Sequence, residues 1–195
     1  MTKGSQKKDC NSESVIIRYD TKRYDFLSWA SHSLGTRELH QLHQQFNYPS
    51  LEMVNHLMNL LKNQFEEING LLYTFINKEI ASVLGPIASY QNPPSFRVHF
   101  HGTGFTPFHR DRDWHGKIDM NIVRRFRNIW IPLTKVWGNN SLWIESTEDM
   151  GDFQPIELEY GEALVFDGQN LVHGTYRNDT GATRVSFDFR VLPHS

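Results

Sequence analysis

The stretch "RVSFDFRV", residues 184–191, decides the fold because apolar and polar side chains alternate along it. In extended backbone, successive side chains point to opposite faces. One face then carries Val185, Phe187, Phe189 and Val191, and the other carries Arg184, Ser186, Asp188 and Arg190. The usual interpretation is an antiparallel strand with one solvated face. The alternative is a strand whose polar face lines a functional cavity.

The segment "FRVHFH", residues 96–101, repeats this alternation with different polar residues. Its apolar positions are Phe96, Val98 and Phe100, and its polar positions are Arg97, His99 and His101. In a small barrel, two such strands would line a cavity with arginine and histidine.

From residue 95 onward, short segments of this kind are separated by turn residues. The predicted strands are Phe96–His101, Asn121–Leu133, Leu142–Glu145, Ala163–Phe166, Leu171–Tyr176 and Arg184–Leu192. Between about residues 21 and 88 the apolar spacing is helical instead, with Ser50 as a predicted N-cap and Gly85 as a predicted stop. The order predicts an α+β fold, in which N-terminal helices pack on a jelly-roll, cupin-like double-stranded β-helix core.

The composition favours one intracellular domain. The chain has 195 residues, a net charge of -2 and one cysteine, Cys10, which excludes an internal disulfide framework. We predict a flexible polar leader over residues 1–14 and a single domain over 15–195, with a jelly-roll part at about 95–192. The leader lacks the apolar core of a secretory signal, so a cytoplasmic location is expected, with no nucleic-acid or membrane partner.

The segment "TPFHRDRDW", residues 106–114, contains a candidate metal-binding pair, His109 and Asp111. In extended backbone both side chains point the same way and can bind one ion. A third candidate ligand is His173, within the apolar strand of "NLVHGTYRN", where an imidazole without a partner is costly. Two histidines and one carboxylate form the facial triad of non-haem iron sites. The alternatives are a core histidine at 173 and Asp113 as the carboxylate.

After His173 comes Arg184-Val185-Ser186, so the chain contains H-x-D, a distal histidine and R-x-S in that order. This order resembles the Fe(II)- and 2-oxoglutarate-dependent oxygenases. The segments "NIWIPLT", "GEALVFDGQNLVHG" and "NDTGATRVSFDFRV" resemble small bacterial jelly-roll members of that superfamily that tailor metabolites. The likeness covers about residues 95–192.

The resemblance implies that His109, Asp111 and His173 bind Fe(II). It also implies that Arg184 and Ser186 hold the distal carboxylate of 2-oxoglutarate, which is converted with O2 to succinate and CO2. Halogenases of the superfamily have a small residue in place of the carboxylate ligand. The carboxylate is present here, so hydroxylation, or a related desaturation or ring formation, is expected.

Further polar residues are candidate contacts around this site. His99 is either a second cosubstrate contact or a structural histidine. We predict a small polar metabolite as substrate: an amino sugar, another carbohydrate derivative or an amino acid. The candidate substrate contacts are Arg112, Asp113, Trp114 and Asn128, and the segment containing the first three is alternatively a solvated loop. Arg124 and Arg127 are expected on the next strand, and Asp188 is expected to pair with Arg190.

Two other functions fit part of the pattern. A cupin-like metal enzyme that uses no cosubstrate, such as an isomerase or a direct dioxygenase, would need the triad but not Arg184 and Ser186. A non-enzymatic β-sandwich binding protein would need neither the triad nor the Arg184 and Ser186 pair.

Overall fold

The computed structural model describes residues 14–46, 50–114 and 119–194. Residues 1–13 of the predicted leader lie outside this range, whereas Ser14 already belongs to a strand. The helical half contains α1 (Phe26–Ser33), α2 (Leu51–Asn63), α3 (Asn69–Phe75) and α4 (Ala81–Leu84). Shorter helical turns are of the 3-10 type at Leu39–Gln45 and Phe65–Ile68 and of the π type at Ile76–Ile80.

Both predicted helix boundaries are confirmed. The Ser50 side chain accepts a hydrogen bond from the Met53 backbone N–H, which satisfies a free donor at the start of α2. Gly85 follows α4 with φ of 78°, a left-handed conformation that glycine adopts without strain.

The strands form two antiparallel sheets. They are β1 (Ser14–Arg18), β2 (Ile87–Tyr90), β3 (Ser95–His99), β4 (Thr106–His109), β5 (Arg127–Pro132), β6 (Trp143–Ile144), β7 (Gln154–Pro155), β8 (Glu162–Phe166), β9 (His173–Thr175) and β10 (Arg184–Pro193). Within the described residues the larger sheet has the order β1-β8-β5-β10-β2, with β3 also paired to β10. The smaller sheet has the order β4-β9-β6-β7. The helices pack on the larger sheet, which confirms the predicted α+β class and jelly-roll core.

The predicted strand Asn121–Leu133 is only partly correct. Its first residues form a short helix, α5 (Met120–Val123), because the Asp119 carboxylate caps the Asn121 N–H, and the strand begins at Arg127. Arg124 therefore follows a helix and does not lie on a strand.

The apolar face of β10 packs against the helical half. The Phe187 ring lies 5.3 Å from the Phe26 ring of α1 and 6.0 Å from the Phe96 ring of β3, measured between ring centroids. Val185, Phe189 and Val191 are likewise buried. The polar face of β10 is therefore turned away from the helices, towards a cavity beside the smaller sheet. Nowhere in the described parts of the chain does a helix have the length and apolar character needed to cross a bilayer.

Candidate metal centre

Strand pairing places the two candidate histidine ligands side by side. His109 at the end of β4 pairs with His173 at the start of β9, and Asp111 begins the 3-10 turn that follows β4. The His109 Nε2 and His173 Nε2 lie 3.5 Å and 3.9 Å from the Asp111 Oδ1. The three ligand atoms all lie within 4.8 Å of one another, so one ion can contact all three. Asp113 is exposed and lies outside this group.

A backbone carbonyl orients each imidazole. The Nδ1 of His109 lies 2.7 Å from the Pro107 carbonyl oxygen, and the Nδ1 of His173 lies 3.0 Å from the Leu171 carbonyl oxygen. A carbonyl only accepts, so each Nδ1 carries the proton and each Nε2 keeps a lone pair for a metal. His173 thus bonds a neighbouring carbonyl, as the core-histidine interpretation requires, while its other nitrogen faces Asp111.

Two side chains of the larger sheet hold the second oxygen of Asp111. The Asn128 Nδ2 donates to Asp111 Oδ2 at 2.7 Å, and the Arg190 Nε donates to the same oxygen at 2.8 Å. Asn128 and Arg190 are cross-strand partners on β5 and β10. The expected pairing of Arg190 with Asp188 is wrong, because the Arg190 guanidinium reaches the metal ligand instead. Asn128, a predicted substrate contact, is engaged with the same carboxylate.

The electrostatic environment favours the metal-binding protonation states of Asp111 and His173. Burial alone would raise the pKa of Asp111, but the contact with His109 and the hydrogen bond from Arg190 outweigh it and hold that pKa well below its usual range. Burial lowers the pKa of His173, which favours the neutral imidazole. The neighbouring Asp111 carboxylate raises the pKa of His109, so a metal competes with a proton for the Nε2 of this ligand. One carboxylate and two imidazoles at the edge of a cavity fit Fe(II).

Arg184 is buried in the same cavity without a carboxylate partner. Its Nη1 donates to the Asn140 carbonyl oxygen at 3.0 Å, and its Nη2 lies 3.3 Å from the His99 Nε2. The Arg184 Nε and the Ser186 Oγ are buried and have no hydrogen-bond partner among the described residues. In residues 14–46, 50–114 and 119–194, no carboxylate oxygen lies within ion-pairing distance of Arg184. Unpaired buried donors of this kind are costly unless an anion is bound there.

His99 positions this arginine. Burial and the charge of Arg184 depress the pKa of His99 well below its usual range, so the imidazole is neutral and its Nε2 accepts from the guanidinium. Burial and the charge of Arg97 lower the pKa of Arg184 to about 9, which reflects a cation lacking a counterion. The Arg184 guanidinium also lies 5.7 Å from the centre of the Trp130 ring.

The loop that follows Asp111 is occupied with its own contacts. The Arg112 Nη1 donates to the Asn170 Oδ1 at 2.7 Å and lies 2.8 Å from the Glu148 Oε1. Asp113 is exposed, and Trp114 is 76% exposed, with its ring edge-on to His109 at 6.2 Å. None of these three side chains lines the cavity in the described structure. Substrate contact by this loop stays a prediction.

The cavity is lined by residues from both sheets, including several that were not predicted as site residues. Beyond the triad and Arg184, the lining residues include Arg97, Asp188, Thr106, Thr175, Trp130 and Phe166. Alternation along the strands places Arg97 with His99, and Asp188 with Arg184, on the polar faces. The alternation of side chains along the two strands was therefore the signal that could have identified Arg97 and Asp188 as site residues.

Comparison with known proteins gives one relative in sequence and several in fold. No family model matches the chain. It is 35% identical over 171 residues to the streptomycin biosynthesis protein StrG of Streptomyces griseus, a match that covers 85% of this chain and 71% of that protein.

Two solved structures share the fold. EvdMO1 superposes with a TM-score of 0.59 at 15% identity, covering 95% of this chain and 48% of that one, so the chain spans about half its length. HygX from Streptomyces hygroscopicus, solved with nickel and 2-oxoglutarate bound, superposes with a TM-score of 0.50 at 11% identity, covering 94% of this chain and 83% of that one.

Proposed function

The chain belongs to the family of the streptomycin biosynthesis protein StrG, and from this premise we propose that it is a non-haem Fe(II)- and 2-oxoglutarate-dependent oxygenase that hydroxylates a small polar metabolite. Its fold is that of the 2-oxoglutarate-dependent oxygenases, which supports the general kind of enzyme. The observation that carries the proposal is the unpaired donor set of Arg184 and Ser186 beside the His109–Asp111–His173 triad.

In this proposal the triad holds Fe(II), and Asn128 and Arg190 keep Asp111 oriented towards it. Because both donors engage the Oδ2, the Oδ1 is the oxygen of Asp111 that would hold the metal. That leaves room on the metal for a chelating cosubstrate. When bound, the metal and 2-oxoglutarate would supply oxidation of a substrate C–H bond by O2, with release of succinate and CO2.

The distal carboxylate of 2-oxoglutarate would bind the Arg184 Nε and the Ser186 hydroxyl. His99 and the Asn140 carbonyl hold the remaining guanidinium nitrogens, so the planar donor edge has a fixed direction before the ligand arrives. An anion at this position would also compensate the buried positive charge of Arg184.

Apolar side chains line the cavity on the side of the larger sheet. Trp130 and Phe166 line the cavity, and the Phe166 and His173 rings are nearly perpendicular, with their centroids 5.2 Å apart. Displacement of water from this wall would strengthen the charge interactions that hold the ligands.

The test is aerobic conversion of 2-oxoglutarate to succinate by the purified protein with Fe(II) and ascorbate. We expect succinate release that requires Fe(II) and that small polar metabolites stimulate. Metal binding without any 2-oxoglutarate turnover would favour the cosubstrate-free metal enzyme instead. Absence of both metal binding and turnover would favour a binding protein.

A further inference from the structure

One wall of the cavity carries an ionic pair that lies outside the His109–Asp111–His173 triad and the Arg184–Ser186 donor set. Arg97 of β3 and Asp188 of β10 both line the cavity, and the Arg97 Nε lies 3.8 Å from the Asp188 Oδ1. That distance is too long for a hydrogen bond. No donor among the described residues hydrogen-bonds the Asp188 carboxylate, and the only such bond of the Arg97 side chain runs from Nη1 to the Phe96 carbonyl at 3.4 Å. Both groups can therefore bind a ligand.

The opposite wall carries two uncharged hydroxyl groups. Thr106 of β4 and Thr175 of β9 are cross-strand partners in the smaller sheet, and both line the cavity. The Thr175 hydroxyl donates to the Gly104 carbonyl, which leaves its oxygen free to accept. The Thr106 hydroxyl has no hydrogen bond within the described part of the chain. A ligand between the two walls therefore meets hydrogen-bonding groups on two sides.

The charges of the Arg97–Asp188 pair determine which ligand groups fit it. An isolated ammonium group is attracted by Asp188 but repelled by Arg97, and an isolated carboxylate or phosphate experiences the reverse. A hydroxyl group avoids this conflict, because its O–H donates to the carboxylate while its oxygen accepts from the guanidinium.

We propose that Arg97 and Asp188 form the substrate subsite and recognise hydroxyl groups of a polyhydroxylated ring, a sugar or a cyclitol, whose other edge faces Thr106 and Thr175. This inference rests on the proposed oxygenase function and narrows its substrate class. A free α-amino acid can also place its two charges on Arg97 and Asp188, but its side chain then offers the uncharged threonine wall either an apolar group, as in proline, or a single charge, as in lysine and glutamate.

The experiment measures binding to the full-length protein loaded with Ni(II), which keeps the site from turning over. Calorimetric titration first determines the Kd of 2-oxoglutarate. The complex of protein, Ni(II) and 2-oxoglutarate is then titrated with ring compounds: myo-inositol, glucose, glucosamine, streptamine and their simple glycosides. The same complex is titrated with L-lysine, L-glutamate and L-proline as the amino-acid series. The variants are Asp188→Asn and Arg97→Gln, and the matched control is Glu67→Gln, an exposed carboxylate outside the cavity.

We expect at least one ring compound to bind more tightly than every amino acid. Each cavity variant should weaken that binding at least about tenfold, since a charged hydrogen-bond partner is lost, and the control should bind as the wild type does. Failure of every ring compound, preference for an amino acid, or unchanged ring affinity in Asp188→Asn would overturn the proposal. An equal loss of affinity for 2-oxoglutarate and for the ring would also overturn it, since the two subsites would not be separate. Failure of the wild type to bind 2-oxoglutarate would count against the oxygenase function itself.

Discussion

Each candidate metal ligand makes hydrogen bonds through one of its polar atoms, and these leave another atom to face the metal. Pro107 and Leu171 accept from the two imidazoles, and Asn128 and Arg190 donate to the carboxylate. Two of these partners are backbone carbonyls, which no substitution removes directly. The side-chain partners of Asp111 are therefore where the role of the supporting contacts can be tested.

Removing either imidazole should abolish metal binding and turnover. We expect His109→Ala and His173→Ala to lose Fe(II)-dependent succinate release and stoichiometric metal binding, measured by elemental analysis after dialysis, while their circular dichroism stays close to wild type. His56→Ala, an exposed histidine of α2, is the control and should keep both properties. Full activity in both triad variants would show that the ligands have been assigned wrongly.

Removing the Arg190 guanidinium should weaken metal binding without removing a ligand. Arg190→Ala leaves the Asp111 Oδ2 held by Asn128 alone, and loss of such a supporting contact typically costs about 10- to 100-fold in metal affinity. Competition with a chromogenic chelator gives the affinity, and the exposed Arg177→Ala serves as the control. An unaltered metal affinity in Arg190→Ala would mean that Asn128 alone orients the carboxylate.

Cosubstrate affinity should depend on Arg184 more than on Ser186, because the guanidinium supplies charge as well as donors. Arg184→Ala should weaken 2-oxoglutarate binding by at least ~2 kcal/mol, as expected when a charged hydrogen-bonded partner is lost. Lysine at this position should rescue binding poorly because it lacks the planar donor edge. The Kd from calorimetry decides the matter, and an unchanged value would favour the metal enzyme that uses no cosubstrate.

At the level of elements, the turn after β8 presses against Asn128. A methyl group added at Gly168 would lie 2.6 Å from the Asn128 Nδ2, closer than real contacts allow. Gly168→Ala should therefore displace Asn128 and lower metal affinity, which the chelator assay measures. The control is Gly70→Ala in α3, where a methyl group meets nothing within 4 Å and the free energy of unfolding should rise by about 0.5–1 kcal/mol. Equal metal affinity in both variants would contradict the role given to this turn.

The sequence could predict those features of the elements whose pattern lies within one short segment of the chain. Alternation in β10 correctly separated the apolar face from Arg184 and Ser186, because side-chain direction in a strand follows from backbone geometry alone. The helix at Met120–Val123 was missed because its cap, Asp119, competes with an apolar run typical of a strand. The bonds from Asn128 and Arg190 to Asp111 were missed because they join residues distant in sequence, and no local pattern reports such a contact.

At the level of the whole molecule, the helices and the larger sheet share one core. Phe187 contacts Phe26 of α1 and Phe96 of β3, so it connects the two halves of the chain. Phe187→Ala should lower the free energy of unfolding by about 3–5 kcal/mol. We expect urea unfolding to remain a single transition when followed by both far-ultraviolet circular dichroism and tryptophan fluorescence. Two separate transitions would contradict the predicted single domain.

The contacts of Asp111 have a mechanical consequence. Both histidine ligands belong to the smaller sheet, whereas the third ligand is tied through Asn128 and Arg190 to the larger one. A bound ion therefore cross-links the two layers of the jelly roll, much as a disulfide would join two distant strands. Since the ligands come together only in the folded chain, metal at one hundred times its Kd should add about 2.7 kcal/mol to stability. Removal of the metal by a chelator should consequently loosen the contact between the layers. The amide hydrogens of β4 and β9 should then show a larger increase in exchange rate than those of β10.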